Sequence, residues 1–266
     1  MLKRFSSFIL ALSAILCVNA QSNDFGMDYS VEVTKKLTYN TDISVEGEMR
    51  TQDNARQMER WTAGATLGWK FYDSRNFDLK ASAGWKYMWM YNLTERNPHY
   101  DDSGVHDGYN KHEASWQHRH RTSVALAASY KPNKRWTFSL KEMFQYTHHA
   151  NDSTANYRYR LKTVDGAETL YLKDIRTKVW EPKDKFVLRS KLTVSYNIRR
   201  LPIEPFASAD YGCGLNYSTN KWKFTVGTDY KLLKKHKFTV FYRYTTEDDD
   251  EEPNGHLIGL GYGFKF

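Results

Sequence analysis

Cysteine is scarce in this chain of 266 residues: there are two, Cys17 and Cys213, beside six prolines. So few thiols exclude a disulfide-stapled fold of the kind small secreted domains use. Long apolar runs are missing too. Beyond residue 20 nothing approaches the roughly 20 consecutive apolar residues that a membrane-spanning helix needs. No later segment carries a strong amphipathic-helix pattern either. What remains is an uncommon pairing: a mean hydropathy of -0.74 together with 15% aromatic residues. Soluble chains this polar usually hold fewer rings, and helical membrane proteins are far more apolar.

The single apolar run stands at the start, in "MLKRFSSFILALSAILCVNAQS". Lys3 and Arg4 form a basic end, Phe5 to Val18 a short apolar stretch, and Val18-Asn19-Ala20 a small-residue cleavage site before Gln21. This is the layout of a secretory signal peptide. Cys17 follows Leu16 rather than a small residue, which argues against lipoprotein processing. The expected organisation is therefore a signal peptide over 1–20 and one domain over 21–266. One thiol, Cys213, is then left, and it has no partner for an internal disulfide. The net charge of +8 falls to +6 once Lys3 and Arg4 leave with the signal. The basic residues alternate with rings instead of clustering, so charge alone does not indicate a nucleic-acid partner.

Two-residue alternation recurs along the rest of the chain. In 61–71, Trp61, Ala63, Ala65, Leu67, Trp69 and Phe71 alternate with Thr62, Gly64, Thr66, Gly68 and Lys70. In 77–91, Phe77, Leu79, Ala81, Ala83, Trp85, Tyr87, Trp89 and Tyr91 share one face. The same period runs through 29–37, 43–50, 116–130, 136–146, 186–198, 203–217, 222–230, 238–244 and the final stretch "GHLIGLGYGFKF". Alternation is the mark of strands with one apolar face. These segments exceed the usual strand of about 5–6 residues and suit the ~9–11 residues with which a tilted strand crosses a bilayer. Strands cross only as closed barrels, because an open edge would leave backbone N–H and C=O groups unpaired in hydrocarbon.

Short turns at 73–76, 131–134, 199–202 and 231–237 alternate with longer polar connections at 51–60, 92–114, 147–184 and 245–254, as in outer-membrane barrels. About eleven segments qualify as spans, whereas bacterial barrels normally have an even number. The expected fold is therefore all-β: a single antiparallel transmembrane β-barrel of about twelve strands, with ten as the alternative if 29–37 is not a full span. Within 147–184, "YRYRLKT" and "TLYLKDIRTKVW" flank Asp165-Gly166, a hairpin signal, read as an extension above the membrane. Rings near both ends of the segments resemble interfacial girdles and separate this reading from a soluble sandwich.

If the apolar set faces lipid, the alternate set faces the lumen. That set includes Glu46, Glu48 and Asp210 beside Arg50, Lys86, Arg119, Arg121, Lys141, Arg189, Lys191 and Arg243. Charges so close in a narrow space should pair. They form either a structural ion network or a narrow polar pore that favours anions. His99, His106 and His112 share a connection with Asp101, Asp102 and Asp107, but the irregular spacing gives no metal-ligand signature, and no metal or cofactor is expected. The acidic loop "TEDDDEEPNG" lacks a calcium-loop pattern. Ser115, Ser123 and Ser153 lie near histidines in sequence without any nucleophile motif. A non-enzymatic barrel is expected, and a lipid-modifying barrel enzyme of the phospholipase or lipid A deacylase type is the alternative.

Ile258, Leu260, Tyr262, Phe264 and the terminal Phe266 resemble the C-terminal assembly signal of bacterial outer-membrane barrels. That resemblance implies recognition by the barrel-assembly machinery. Together with "DYSVEVTKKLTYNTDISVEGEMR", "QHRHRTSVAL" and "FVLRSKLTVSY", the layout of the mature chain also resembles DUF 2490, a Bacteroidetes outer-membrane family of unknown function. It implies a Gram-negative outer membrane, with membrane lipid and lipopolysaccharide as surroundings, and brings no established activity.

Overall fold

In a computed structural model of the chain, residues 24–164, 167–217, 220–233, 235–247 and 255–266 are described. The expected signal peptide, Asp165 and Gly166 of the expected hairpin signal, and most of the acidic loop lie outside them. The described residues form strands and no helix: β1 (Asp24–Lys36), β2 (Thr41–Gln52), β3 (Gln57–Asp73), β4 (Phe77–Asn92), β5 (Glu95–Tyr100), β6 (His106–His112), β7 (Ser115–Tyr130), β8 (Trp136–His149), β9 (Asp152–Val164), β10 (Ala167–Trp180), β11 (Lys183–Tyr196), β12 (Ile203–Gly214), β13 (Asn220–Leu232), β14 (His236–Glu247) and β15 (Gly255–Lys265).

The closed barrel runs β1-β15-β14-β13-β12-β11-β8-β7-β4-β3-β2. That is eleven strands, neither the expected twelve nor the alternative ten. The parity expectation assumed that every neighbour is antiparallel. Here β1 is antiparallel to β2 and parallel to β15, with Tyr29 opposite Leu260 and Val33 opposite Phe264. One parallel pair is enough to allow an odd number. The segment around 29–37 is thus a full strand, and the count read from alternation stands without adjustment. The last residue belongs to this seam: the Phe266 N–H donates to the Thr34 carbonyl at 3.1 Å, and the Lys36 N–H donates to the Phe266 carbonyl at 3.2 Å.

The second sheet, β10-β9-β6-β5, continues beyond one end of the barrel. The β9–β10 hairpin falls where its sequence placed it. The β5–β6 hairpin lies in 92–114, which reads as a polar connection because Pro98, Gly104 and scattered charges interrupt its alternation. The connection at 51–60 is also shorter than expected. β2 and β3 run on to Gln52 and Gln57, and Asp53, Asn54 and Ala55 turn the chain with positive φ values of 53°, 54° and 62°.

Burial is inverted relative to a soluble domain. The buried apolar residues are Met88, Met90, Ala125 and Leu257, while the buried polar set includes Asp28, Arg50, Arg60, Gln145, Lys185 and Asp210. Exposed Val45, Leu67, Val124, Leu126, Leu140, Leu192, Val240 and Leu260 form an outward apolar band. Rings border it. Towards the extension stand Trp89 and Trp116 (centroids 5.2 Å apart), Tyr146 and Phe186 (5.2 Å), and Tyr211 and Trp222 (4.7 Å). At the turn end stand Trp69 and Phe71 (5.6 Å), Trp136 and Tyr196 (4.8 Å), and Phe238 and Tyr262 (5.1 Å).

Candidate functional site

Alternation along every barrel strand delivers polar side chains to one enclosed space. A cavity of ≈570 Å³ lies in the lumen, lined by eleven lysines and arginines and five carboxylates. Of the residues singled out from the sequence, Glu46, Glu48, Arg50, Lys86, Arg121, Lys141, Arg189, Lys191, Asp210 and Arg243 line this cavity. Arg119 instead lines two smaller spaces of ≈90 Å³ each nearer the extension.

Most of the carboxylates are paired. The Arg50 guanidinium meets Asp28 at 3.1 Å and Glu48 at 3.3 Å, Arg60 meets Glu48 at 3.1 Å, and Arg243 stands 3.7 Å from Asp28. Lys86 pairs with Glu46 at 2.5 Å and Lys80 with Asp42 at 2.7 Å. Arg189 grips Asp210 with both Nε and Nη2 and donates from Nη1 to Gln145 Oε1 at 3.4 Å. Bidentate geometry of this sort fixes the guanidinium in place. Glycine makes room for these pairs: a Cβ at Gly68 would lie 2.3 Å from Lys80 Cε and 2.6 Å from Asp42 Oδ1.

Two lysines differ from the rest. Lys141 on β8 and Lys191 on β11 are direct cross-strand neighbours. Both line the cavity, and neither forms an ion pair among the described residues. Like charges placed opposite each other destabilise a sheet. Asp210 is opposite Lys191 on the far side, and Lys223 follows Asp210. The wall here is therefore a band of fixed positive charge with one carboxylate in it.

Phe206 on β12 and Phe241 on β14 are not marked by the alternation of their strands, although both stand on inward register positions beside Ser208 and Arg243. Their rings lie over glycines. A Cβ at Gly259 would fall 2.0–2.6 Å from three Phe241 ring atoms, and one at Gly227 would fall 2.7 Å from Phe206 Cζ. The Arg243 guanidinium lies 4.8 Å from the Phe241 centroid, within cation–π range. The two rings fill part of the lumen beside the cavity.

Outside the lumen the candidate groups stay dispersed. His99 Nδ1 bonds Asp107 Oδ1 at 2.5 Å in the extension, and this bond lowers the Asp107 carboxyl below its usual range. Burial, reinforced by Lys178, lowers His112 from the usual imidazole value. Among the described residues no group of three or more His, Cys, Asp or Glu side chains is arranged to hold a metal ion. On the outward face the Ser190 hydroxyl donates to Glu142 Oε2 at 2.6 Å, and nearer the girdle His148 Nδ1 and the Tyr146 hydroxyl share Asp184 Oδ1 at 2.8 and 2.9 Å. No serine hydroxyl among the described residues hydrogen-bonds a histidine. Ser123 faces the lumen, and Ser115 and Ser153 sit at strand starts near the extension.

No family model and no curated protein matches this chain. Among solved structures it is similar to the β domain of the Bordetella autotransporter BrkA, with 10% sequence identity over 85% of this chain and 82% of that chain and a TM-score of 0.38.

Proposed function

We propose that this chain is an outer-membrane β-barrel of a Gram-negative bacterium whose lumen is a narrow polar passage favouring small anions. The carrying observation is the excess of eleven cationic over five anionic side chains around one cavity of ≈570 Å³. The outward apolar band between two rows of rings supports the membrane setting. On this reading the chain sits among outer-membrane lipid and lipopolysaccharide and reaches its place through the barrel-assembly machinery.

A charge inside a low-dielectric wall acts over a longer distance than in water. An anion entering the lumen exchanges hydration for N–H donors that the ion pairs already hold in place, whereas a cation meets the unpaired Lys141 and Lys191. Rings of fixed charge select ions in this way in other pores. The ion network and the passage are thus compatible: paired residues build the wall, and the lysine band supplies the field.

Purified protein in planar bilayers tests the reading. A small conductance with an anion-selective reversal potential under a KCl gradient is expected. Lys141→Gln with Lys191→Gln should reduce that selectivity severalfold while leaving the barrel folded. Absence of conductance, or cation selectivity in the unaltered chain, would contradict the proposal.

A further inference from the structure

The outward face of β2, β3, β4, β7 and β8 is indented. Ala65 on β3 pairs with Trp85 on β4, and Leu67 pairs with Ala83, so two alanines lie diagonally between bulky neighbours. Ile43, Leu67, Trp85, Val124 and Phe144 border the depression, an open groove of ≈580 Å³ with an almost wholly apolar surface. That volume lies in the range of about 300–1,000 Å³ typical of ligand pockets. Among the described residues no side chain fills it.

The end of the groove nearer the extension has a different chemistry. His118 and His120 on β7 are exposed there among three rings of β4. His120 stacks on Trp85 with centroids 6.0 Å apart and approaches Tyr87 at 5.2 Å. His118 stacks on Trp89 at 5.8 Å, and its Nδ1 bonds the Tyr87 hydroxyl. Each imidazole carries at least one N–H donor in any tautomer. The next histidine in the row, His148, is already engaged by Asp184. His118 and His120 form no ion pair with a carboxylate among the described residues. They stand at the level of the Trp89–Trp116 girdle, where amphipathic rings meet lipid headgroups.

An apolar trough that ends in clustered N–H donors at headgroup depth is chemically complementary to an anionic amphiphile. We propose that this groove, with His118 and His120, seats one membrane lipid bearing an acyl chain and an anionic phosphate headgroup. The chain lies over Ala65 and Ala83, and phosphate oxygens accept the imidazole N–H groups. A zwitterionic lipid uses the trough equally well and offers the same phosphate oxygens, but its ammonium group offsets the negative charge that the positive ends of the N–H donors attract. The inference rests on the membrane reading of the outward face and is independent of anion passage through the lumen.

The test uses the full chain in phosphatidylcholine vesicles doped with spin-labelled phosphatidylglycerol or spin-labelled phosphatidylcholine. The protein should restrict the motion of phosphatidylglycerol in severalfold excess over phosphatidylcholine. Ala83→Phe, which fills the trough, should abolish the excess, with Ala65→Leu as a second variant should the first fail to fold. His118→Ala with His120→Ala should bring phosphatidylglycerol down to the phosphatidylcholine level. Equal restriction of the two lipids by the unaltered chain, or an excess that survives all these changes, would overturn the seat. Conductance of the groove variants should match the unaltered chain. Normal lipid preference without conductance would count against the lumen reading alone.

Discussion

Position 259 shows how tightly single residues are set in this barrel. Phe241 occupies the space that a side chain at 259 would need, with ring atoms 2.0–2.6 Å from an ideal Cβ. The Arg243 guanidinium lies over the ring, 4.8 Å from its centroid, and a Cβ at Gly227 would fall 2.7 Å from Phe241 Cβ, so the ring is accommodated by glycines on both neighbouring strands. Overfilling a packed site costs about 1–3 kcal/mol, and Gly259→Ala should lower thermal stability in detergent by a shift of that order. Phe241→Ala in the same chain should remove most of the penalty, because the three atoms nearest to the added Cβ all belong to that ring. Strictly additive effects in a double-mutant cycle would show that the two positions are not coupled and that the ring does not rest on Gly259. The sequence held a signal for this arrangement. Phe206 and Phe241 occupy inward register positions, and an apolar ring on a polar face means either lipid contact or a seat inside. Alternation alone does not decide between these; the glycines opposite do, and only once the strand register is known.

Strands were legible because their chemistry is local, whereas pairing across the seam is not. Alternation marks β1 as a strand from Tyr29, Val31 and Val33, yet nothing in those residues says whether its neighbour runs with it or against it. Parallel and antiparallel neighbours differ in hydrogen-bond slant, and the direction at the seam depends on which strand closes the circle. In this chain β15 offers β1 a face of Gly259, Gly261 and Gly263, opposite Asp28, Ser30 and Glu32. Small residues there let the inward carboxylates sit against the seam without crowding. The arrangement predicts a specific cross-link. In a Cys213→Ser background, Val31→Cys and Tyr262→Cys should form a disulfide under mild oxidation, since the parallel register places them opposite each other. A ten-strand barrel closed by β2 against β15 would leave Val31 out of the seam, and failure of the cross-link in folded protein would favour it. The β5–β6 hairpin was illegible for another reason: its strands are short, and the support they receive comes from β9, more than forty residues away in sequence. There Tyr109 stacks on Tyr159 with centroids 4.9 Å apart, a long-range contact that leaves no local mark.

Across the whole molecule, sequence reading reached the architecture because an inverted barrel must put apolar residues outside on every strand, a rule that repeats eleven times around the circle. It reached the charged lining for the same reason, and it stopped at the pairings, since which arginine meets which carboxylate depends on register rather than period. The C-terminus is where the two kinds of information meet. From the sequence, Phe266 reads as an address for barrel assembly; in the fold it also closes the seam, through backbone bonds to Thr34 and Lys36, with the Lys35 ammonium 5.8 Å from its ring. These two roles separate by experiment. Phe266→Ser keeps both backbone bonds and removes only the ring. If the ring serves recognition, this variant should be depleted from the outer membrane of producing cells. The same protein, refolded in detergent, should keep heat-modifiable migration close to that of the unaltered chain. Deleting Phe266 removes the backbone bonds as well and should weaken the refolded barrel too. Phe266→Ser reaching the membrane at normal levels would show that the terminal ring is not read during assembly, and would leave the seam as the reason for its place.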